Sequence, residues 1–142
     1  MLLTIGYQDR DLADLVDTLL RHDVDELVDV RLHASSRTPG FSKGRLSAAL
    51  DEAGITYRHL PALGNPRDNR AGFRAGRPEA LARYRARLDG EGRDAVTSVV
   101  DAAREHNVAL LCLERAADSC HRRVVADVAR ELEPDLTVEH LA

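Results

Sequence analysis

The chain of 142 residues has no tryptophan, a single methionine, a single lysine and only two cysteines. Two cysteines cannot build a multi-disulfide scaffold, and at most one bridge is available. Nor does a basic segment followed by an apolar one open the chain, which runs straight into Leu2-Leu3-Thr4-Ile5-Gly6. No secretory signal is therefore expected, and without one the reduced state of Cys112 and Cys120 is favoured. Apolar runs are far too short to cross a bilayer, so no membrane partner is expected and the default location is cytoplasmic. No internal repeat and no inter-domain linker is visible. What remains is a chain of single-domain length, 44% apolar and 31% charged, with a net charge of -4. That is enough material for a real core, and the expectation is one domain over residues 1–142.

Charge is unevenly spread. Residues 1–30 carry eight acidic residues against Arg10 and Arg21. Residues 58–87 carry eight arginines against Asp68 and Glu79, with Phe73 and Tyr84 among them. Such a segment suits an anionic partner: a phosphate-bearing ligand, a nucleotide or a nucleic acid. The plainer reading is a solvated charged face, because 19 of the 20 basic residues are arginine.

Hydrophobic patterning alternates between short apolar runs and amphipathic stretches. Leu2–Ile5 reads as a buried strand closed by Gly6. Leu12, Leu15, Val16, Leu19 and Leu20 form one helical face, with Asp9 as a candidate cap. Glu26–Val30 is a second strand, followed by a loop through Ser35-Ser36-Arg37-Thr38-Pro39-Gly40-Phe41. Ser42 can cap a helix over Leu46, Ala49 and Leu50, which Gly54 ends. Ile55–Leu60 alternates as a third strand. Residues 61–77, rich in Pro, Gly, Asn and Arg, read as a long loop. Pro78 suits the first position of a helix to about Leu88. A further helix carries Val96, Val99, Val100 and Ala103, with Asn107 as its close. Val108–Leu113 is the fourth strand. Ser119 can cap a helix carrying Val124, Val125, Val128, Ala129 and Leu132, which Pro134 stops. Leu136–Leu141 is a candidate last strand centred on Val138. This alternation predicts an α/β fold, a single three-layer α/β/α domain with a mainly parallel sheet of four to five strands.

In open α/β sheets, ligands bind beyond the carboxyl ends of the strands. Gly6-Tyr7, Asp29-Val30-Arg31, His59 and Cys112-Leu113-Glu114 all fall at predicted strand ends. The loop around Ser36-Arg37 and the helix start Cys120-His121-Arg122 open onto the same rim. A helix start presents unpaired N–H groups that favour anions and lower a thiol's pKa. Three chemistries compete. Cys120 or Cys112 can act as nucleophile, with His121 or His59 carrying the proton, Glu114 orienting, and Arg31, Arg37 or Arg122 holding an anion. A phosphatase-type loop is excluded, because Asp118 and Ala126 stand where it needs arginine. Cys112, Glu114, Cys120 and His121 are zinc-type donors, but their spacing is not a common zinc pattern and no C-x2-C pair is present, so neither a metal nor another cofactor is expected. The third reading is structural. Cys112 lies in an apolar strand and packs as a small core residue, Glu114 stitches strand ends by pairing with Arg122 or Arg31, and Asp29 and Arg31, two apart on one strand face, form a buried pair or a ligand clamp. His22, His33, His106 and His140 have no companions that suggest a site.

Thr4-Ile5-Gly6, Asp29-Val30-Arg31, Ser36-Arg37 with Pro39 and Phe41-Ser42-Lys43, and Gly54-Ile55 with Tyr57 and His59-Leu60-Pro61 before Leu63-Gly64 fall in a familiar order. Leu111-Cys112-Leu113-Glu114 with Cys120-His121-Arg122 completes it. Together these pieces resemble the domain-of-unknown-function 488 family, small bacterial and archaeal α/β proteins. The resemblance implies a compact α/β domain whose signature residues gather at one site, and it supplies no reaction. The family usually reads T-I-G-H-S at its start, whereas Tyr7-Gln8 stand here in place of the His and Ser.

The expectation is an anion pocket in which Asp29, Arg31, Ser36, Arg37, His59 and Arg122 form the ligand-binding set. Cys120, His121 and Glu114 are its reactive or orienting groups. The alternative is a non-catalytic nucleotide or nucleic-acid binding module using the arginines of 58–87. Substrate, oligomeric state and strand order are not legible at this level.

Overall fold

The computed structural model describes residues 1–142. In chain order the elements are β1 (Leu2–Gly6), α1 (Leu12–Arg21), β2 (Glu26–Asp29), α2 (Lys43–Glu52), β3 (Thr56–His59), α3 (Arg70–Arg74), α4 (Pro78–Asp89), α5 (Arg93–Glu105), β4 (Val108–Cys112), α6 (His121–Leu132) and β5 (Val138–His140). Short 3-10 turns occupy Pro61–Leu63, Arg67–Asn69 and Ala117–Ser119. All five strands pair in parallel in one sheet, in the order β3-β2-β4-β1-β5.

Alternation along each strand builds two cores. Leu3, Ile5, Leu27, Ala109 and Leu111 face α1 and α2 through Leu15, Leu19, Leu46 and Leu50. Leu2, Val28, Val30, Leu110 and Cys112 face α4, α5 and α6 through Tyr84, Leu88, Val99, Val100, Val125 and Ala129. A parallel sheet covered on both faces requires strands that are apolar throughout, and β1 and β4 are buried at every position.

The central strand β4 lies between β2 and β1, and its register sets Gly6 opposite Cys112 and Asp29 opposite Leu111. The chain leaves β1 and β2 toward the helix layer of α1 and α2, but leaves β4 toward that of α6. The connections therefore diverge on both sides of β4, which opens a crevice beyond its carboxyl end.

Two glycines let the crevice form. A Cβ on Gly6 would overlap the carbonyl of Glu114, and one on Gly64 would overlap the backbone of Leu32. Both are close approaches of chain to chain rather than turns.

Several local expectations shift. The cap of α1 is Asp11, whose side chain accepts from Asp14 N–H, while Asp9 adopts a positive φ. Ser42 does stand before α2, yet its Oγ binds Ser36, accepting from its N–H at 3.1 Å and donating to its carbonyl at 3.3 Å. Cys120 rather than Ser119 precedes α6, and His106 rather than Asn107 ends α5. Residues 61–77 hold two 3-10 turns and α3 rather than one long loop. No helix is long and apolar enough to cross a membrane.

Candidate functional site

Asp29 ends β2 with its side chain fully buried. A lone carboxylate there would be costly, and it is compensated by Arg31. Arg31 Nε and Nη2 donate to the two Asp29 oxygens at 2.8 and 2.7 Å, and Tyr57 Oη donates to Oδ2 at 2.6 Å. Arg31 Nη1 also donates to the Phe41 carbonyl at 2.7 Å. Burial alone would lower the Arg31 pKa, but the hydrogen bonds and charge of Asp29 outweigh it and hold the guanidinium above its ordinary value. Burial, then the bond to Asp29, raises the Tyr57 hydroxyl. The Asp29–Arg31 pair is thus an ion pair that fixes the Phe41 loop, and Arg31 still reaches the cavity beyond it.

Two histidines hold the chain just after β2. His59 Nε2 donates to the Arg31 carbonyl at 2.7 Å, and His121 Nε2 donates to the Val30 carbonyl at 2.8 Å. A carbonyl only accepts, so His121 carries its proton on Nε2 when neutral, and Nδ1 keeps a lone pair. Burial lowers the His121 pKa, against the Val30 hydrogen bond and the Glu114 charge, which keeps the ring neutral near pH 7. The edge of the ring packs against Tyr84, centroid to centroid 5.5 Å.

The structure joins Cys112 and Cys120 as a disulfide, whereas the sequence reading favours a reduced pair. The cause is local. Cys112 is the last residue of β4, Cys120 is the residue before α6, and the seven residues between turn back over the strand end. His121 Nδ1 lies 3.9 Å from Cys120 Sγ, and Glu114 Oε2 lies 3.6 Å from Cys112 Sγ. Arg122 is completely buried beneath this turn. It donates to the carbonyls of Glu114 and Arg115 and to Cys112 Sγ at 3.4 Å, while its Nε has no partner. Burial lowers its pKa to about 10.

These elements enclose a cavity of about 470 Å³ at the carboxyl edge of the sheet. Arg31, Ser36, Arg37, Glu114 and His121 of the expected set line it, with Cys112 and Tyr7. Asp29, His59, Cys120 and Arg122 stand behind the wall and hold it in shape. Tyr7 stacks on Phe41 with centroids 4.5 Å apart. Gln8 accepts from the Arg115 N–H at 3.2 Å. Glu114 pairs with Arg74 at 2.8 Å rather than with Arg122 or Arg31.

Asn65, Arg70, Phe73 and Arg74 complete the far wall; the sequence reading assigns Arg70, Phe73 and Arg74 only to the alternative module over 58–87, and Asn65 to neither. Their signal was present in the sequence, since Arg70 and Arg74 are one helical turn apart and so share a face. Reading 61–77 as loop hid it. Among the lining residues, Arg31, Arg37, Arg70 and Arg74 are cationic and Glu114 is the one carboxylate.

Fold and site together define a three-layer α/β/α protein with an arginine-lined pocket at the carboxyl edge of a parallel sheet. The chain belongs to the family described as Domain of unknown function DUF488, whose model matches residues 11–129. Searches of curated proteins and of solved structures give no match.

Proposed function

We propose that this pocket binds a phosphate-bearing ligand. The observation that carries the reading is the imbalance of charge around one cavity, four guanidiniums against Glu114. Two of the four are already committed, Arg31 to Asp29 and Arg74 to Glu114. Arg37 makes no ion pair, and Arg70 donates only its Nε, to the Asn65 carbonyl at 3.2 Å. Their remaining N–H groups are the donors for an anion, and arginine suits phosphate oxygens through paired bonds. Ser36 adds a hydroxyl, since its Oγ accepts from the Thr38 N–H at 3.1 Å and its own proton is unspent.

The nucleic-acid alternative rested on the arginines of 58–87. Five of those eight, Arg58, Arg74, Arg83, Arg85 and Arg87, are in ion pairs with acidic side chains. They form a laced surface, which favours a bounded anion site over an extended phosphate track. Titration calorimetry with pyrophosphate, ATP and a duplex oligonucleotide separates the two. Pocket binding predicts saturable one-site binding of the small anions. An oligonucleotide bound more tightly than either, with a salt slope of several phosphates, would sink the pocket reading.

A second reading has one observation in its favour, the 3.9 Å approach of His121 Nδ1 to Cys120 Sγ. In the reduced protein that nitrogen is placed to take the thiol proton, making Cys120 a nucleophile just behind the cavity wall. Turnover of a phosphate ester or acyl phosphate by the reduced chain, lost in Cys120→Ser with binding retained, is the outcome this reading requires.

A further inference from the structure

We infer that the reduced protein holds one thiophilic divalent metal ion, zinc by its donor chemistry, on Cys112 Sγ, Cys120 Sγ and His121 Nδ1 at the floor of the pocket. The inference takes from the anion reading only the location of the pocket. It displaces the thiol-nucleophile reading, because a ligated thiolate is not free to attack.

The sequence spacing argued against a metal, but the fold removes that objection. One ligand atom from each of Cys112, Cys120 and His121 falls within 4.8 Å of the others. Two thiolates and an imidazole are donors zinc prefers, and three protein ligands with a free fourth position are the pattern of reactive rather than purely structural zinc. Cys112 and His121 both line the cavity, so an ion held on them would be open to it.

The surroundings are those that metal ligands need. A ligating histidine usually donates its other N–H to a carbonyl or carboxylate, which fixes its tautomer and orientation. His121 Nε2 does this with the Val30 carbonyl at 2.8 Å and leaves Nδ1 3.9 Å from Cys120 Sγ. Arg122 presents an N–H to Cys112 Sγ at 3.4 Å from a fully buried position. Its charge makes no carboxylate pair, and a thiolate is a far better acceptor for it than a disulfide sulfur. The two cysteine Cα atoms stand 7.3 Å apart. Disulfides usually span about 4.4–6.8 Å. Two thiolates on a tetrahedral zinc lie about 3.8 Å apart, given Zn–S bonds of about 2.3 Å.

Loading requires the reduced state. Two equivalents of a thiol reductant convert the disulfide to two thiols and are themselves oxidised to a disulfide. The metal ion then displaces the two thiol protons to solvent as it binds.

The test uses the full chain, reduced, supplied with zinc or cobalt(II) and desalted before elemental analysis. One metal per chain is expected in the reduced protein and none in the oxidised protein. Cobalt should give a thiolate-to-metal charge-transfer band and tetrahedral visible bands, which read the ligands in the wild-type chain without any variant. Cys120→Ser and His121→Ala should each weaken binding at least 100-fold, and Arg45→Ala, on the exposed side of α2, should leave it unchanged. A reduced wild-type chain with no stoichiometric metal, or a cobalt complex lacking the thiolate band, overturns the proposal. So does equal metal content in a Cys112→Ser/Cys120→Ser double variant. Pyrophosphate titration of the metal-free chain keeps the two readings apart. Absent metal with intact pyrophosphate binding removes this proposal alone, whereas absent pyrophosphate binding with one metal bound removes the anion reading alone.

Discussion

Asp29 stands behind the cavity wall and holds the residues that line it. Its carboxylate is inaccessible and is satisfied by Arg31 and Tyr57. Removing one partner of such a pair strands the other charge, which typically costs about 3–5 kcal/mol. Asp29→Asn should lower stability by that amount in urea unfolding, while Tyr57→Phe should cost only about 1 kcal/mol, one hydrogen bond. Arg37 and Arg70 predict the opposite pattern. Neither is held by an acidic side chain, so Arg37→Ala or Arg70→Ala should leave the urea midpoint nearly unchanged. Each should weaken pyrophosphate binding by about 1.5–3 kcal/mol, roughly 10- to 150-fold, as expected for a charge-assisted bond.

At the scale of elements, the decisive contacts are those between strand ends and the loops that close over them. Gly6 ends β1 against the Glu114 carbonyl, and Arg10 ties that end further, its Nε donating to the Gly6 carbonyl at 2.9 Å. Gly6→Ala therefore forces the Glu114 turn away from β1. It should lower the melting temperature by several degrees and abolish pyrophosphate binding together, a coupling that the arginine variants lack. The edge strand β5 predicts a pH effect. Thr4 Oγ1 lies 2.6 Å from His140 Nδ1. Burial, then Arg123 and Arg122, with Arg130 against the opposing Asp127, hold the His140 pKa below its ordinary value. A depressed histidine contributes stability that is present above the unfolded-state pKa of about 6.5 and is lost as pH falls through the folded one. Melts at pH 7.5 and 5.0 should show stability declining on acidification, and His140→Gln should shrink that decline.

For the whole molecule, much of the architecture was legible because hydrophobic period is local. The apolar runs at Leu2–Ile5 and Val108–Leu113 and the helical face of Leu15 and Leu19 announced their elements, and the parallel sheet followed from their alternation. The rim of strand ends is legible for the same reason, and Arg31, Ser36, Arg37, Glu114 and His121, which the sequence places on that rim, line one cavity. Strand order was not, because insertion of β4 between β2 and β1 depends on pairing between residues about 80 positions apart, as in Val28 with Leu110. Helix α3 is not legible in the sequence because Pro61, Gly64, Pro66 and Gly72 break every long periodic window, and five residues are too few to show a period. The partnership of Cys112 with Cys120 depended on how a seven-residue turn folds, which no spacing rule supplies.

Whether the arginine-lined cavity takes an anion is the central question for this protein. Titration calorimetry of pyrophosphate into the wild-type chain and into an Arg37→Ala/Arg70→Ala double variant measures this directly. The predicted result is one-site binding by the wild type and a loss of at least 100-fold in a variant whose urea unfolding is unchanged. Equal affinity in the two proteins, or no binding by the wild type, would contradict it.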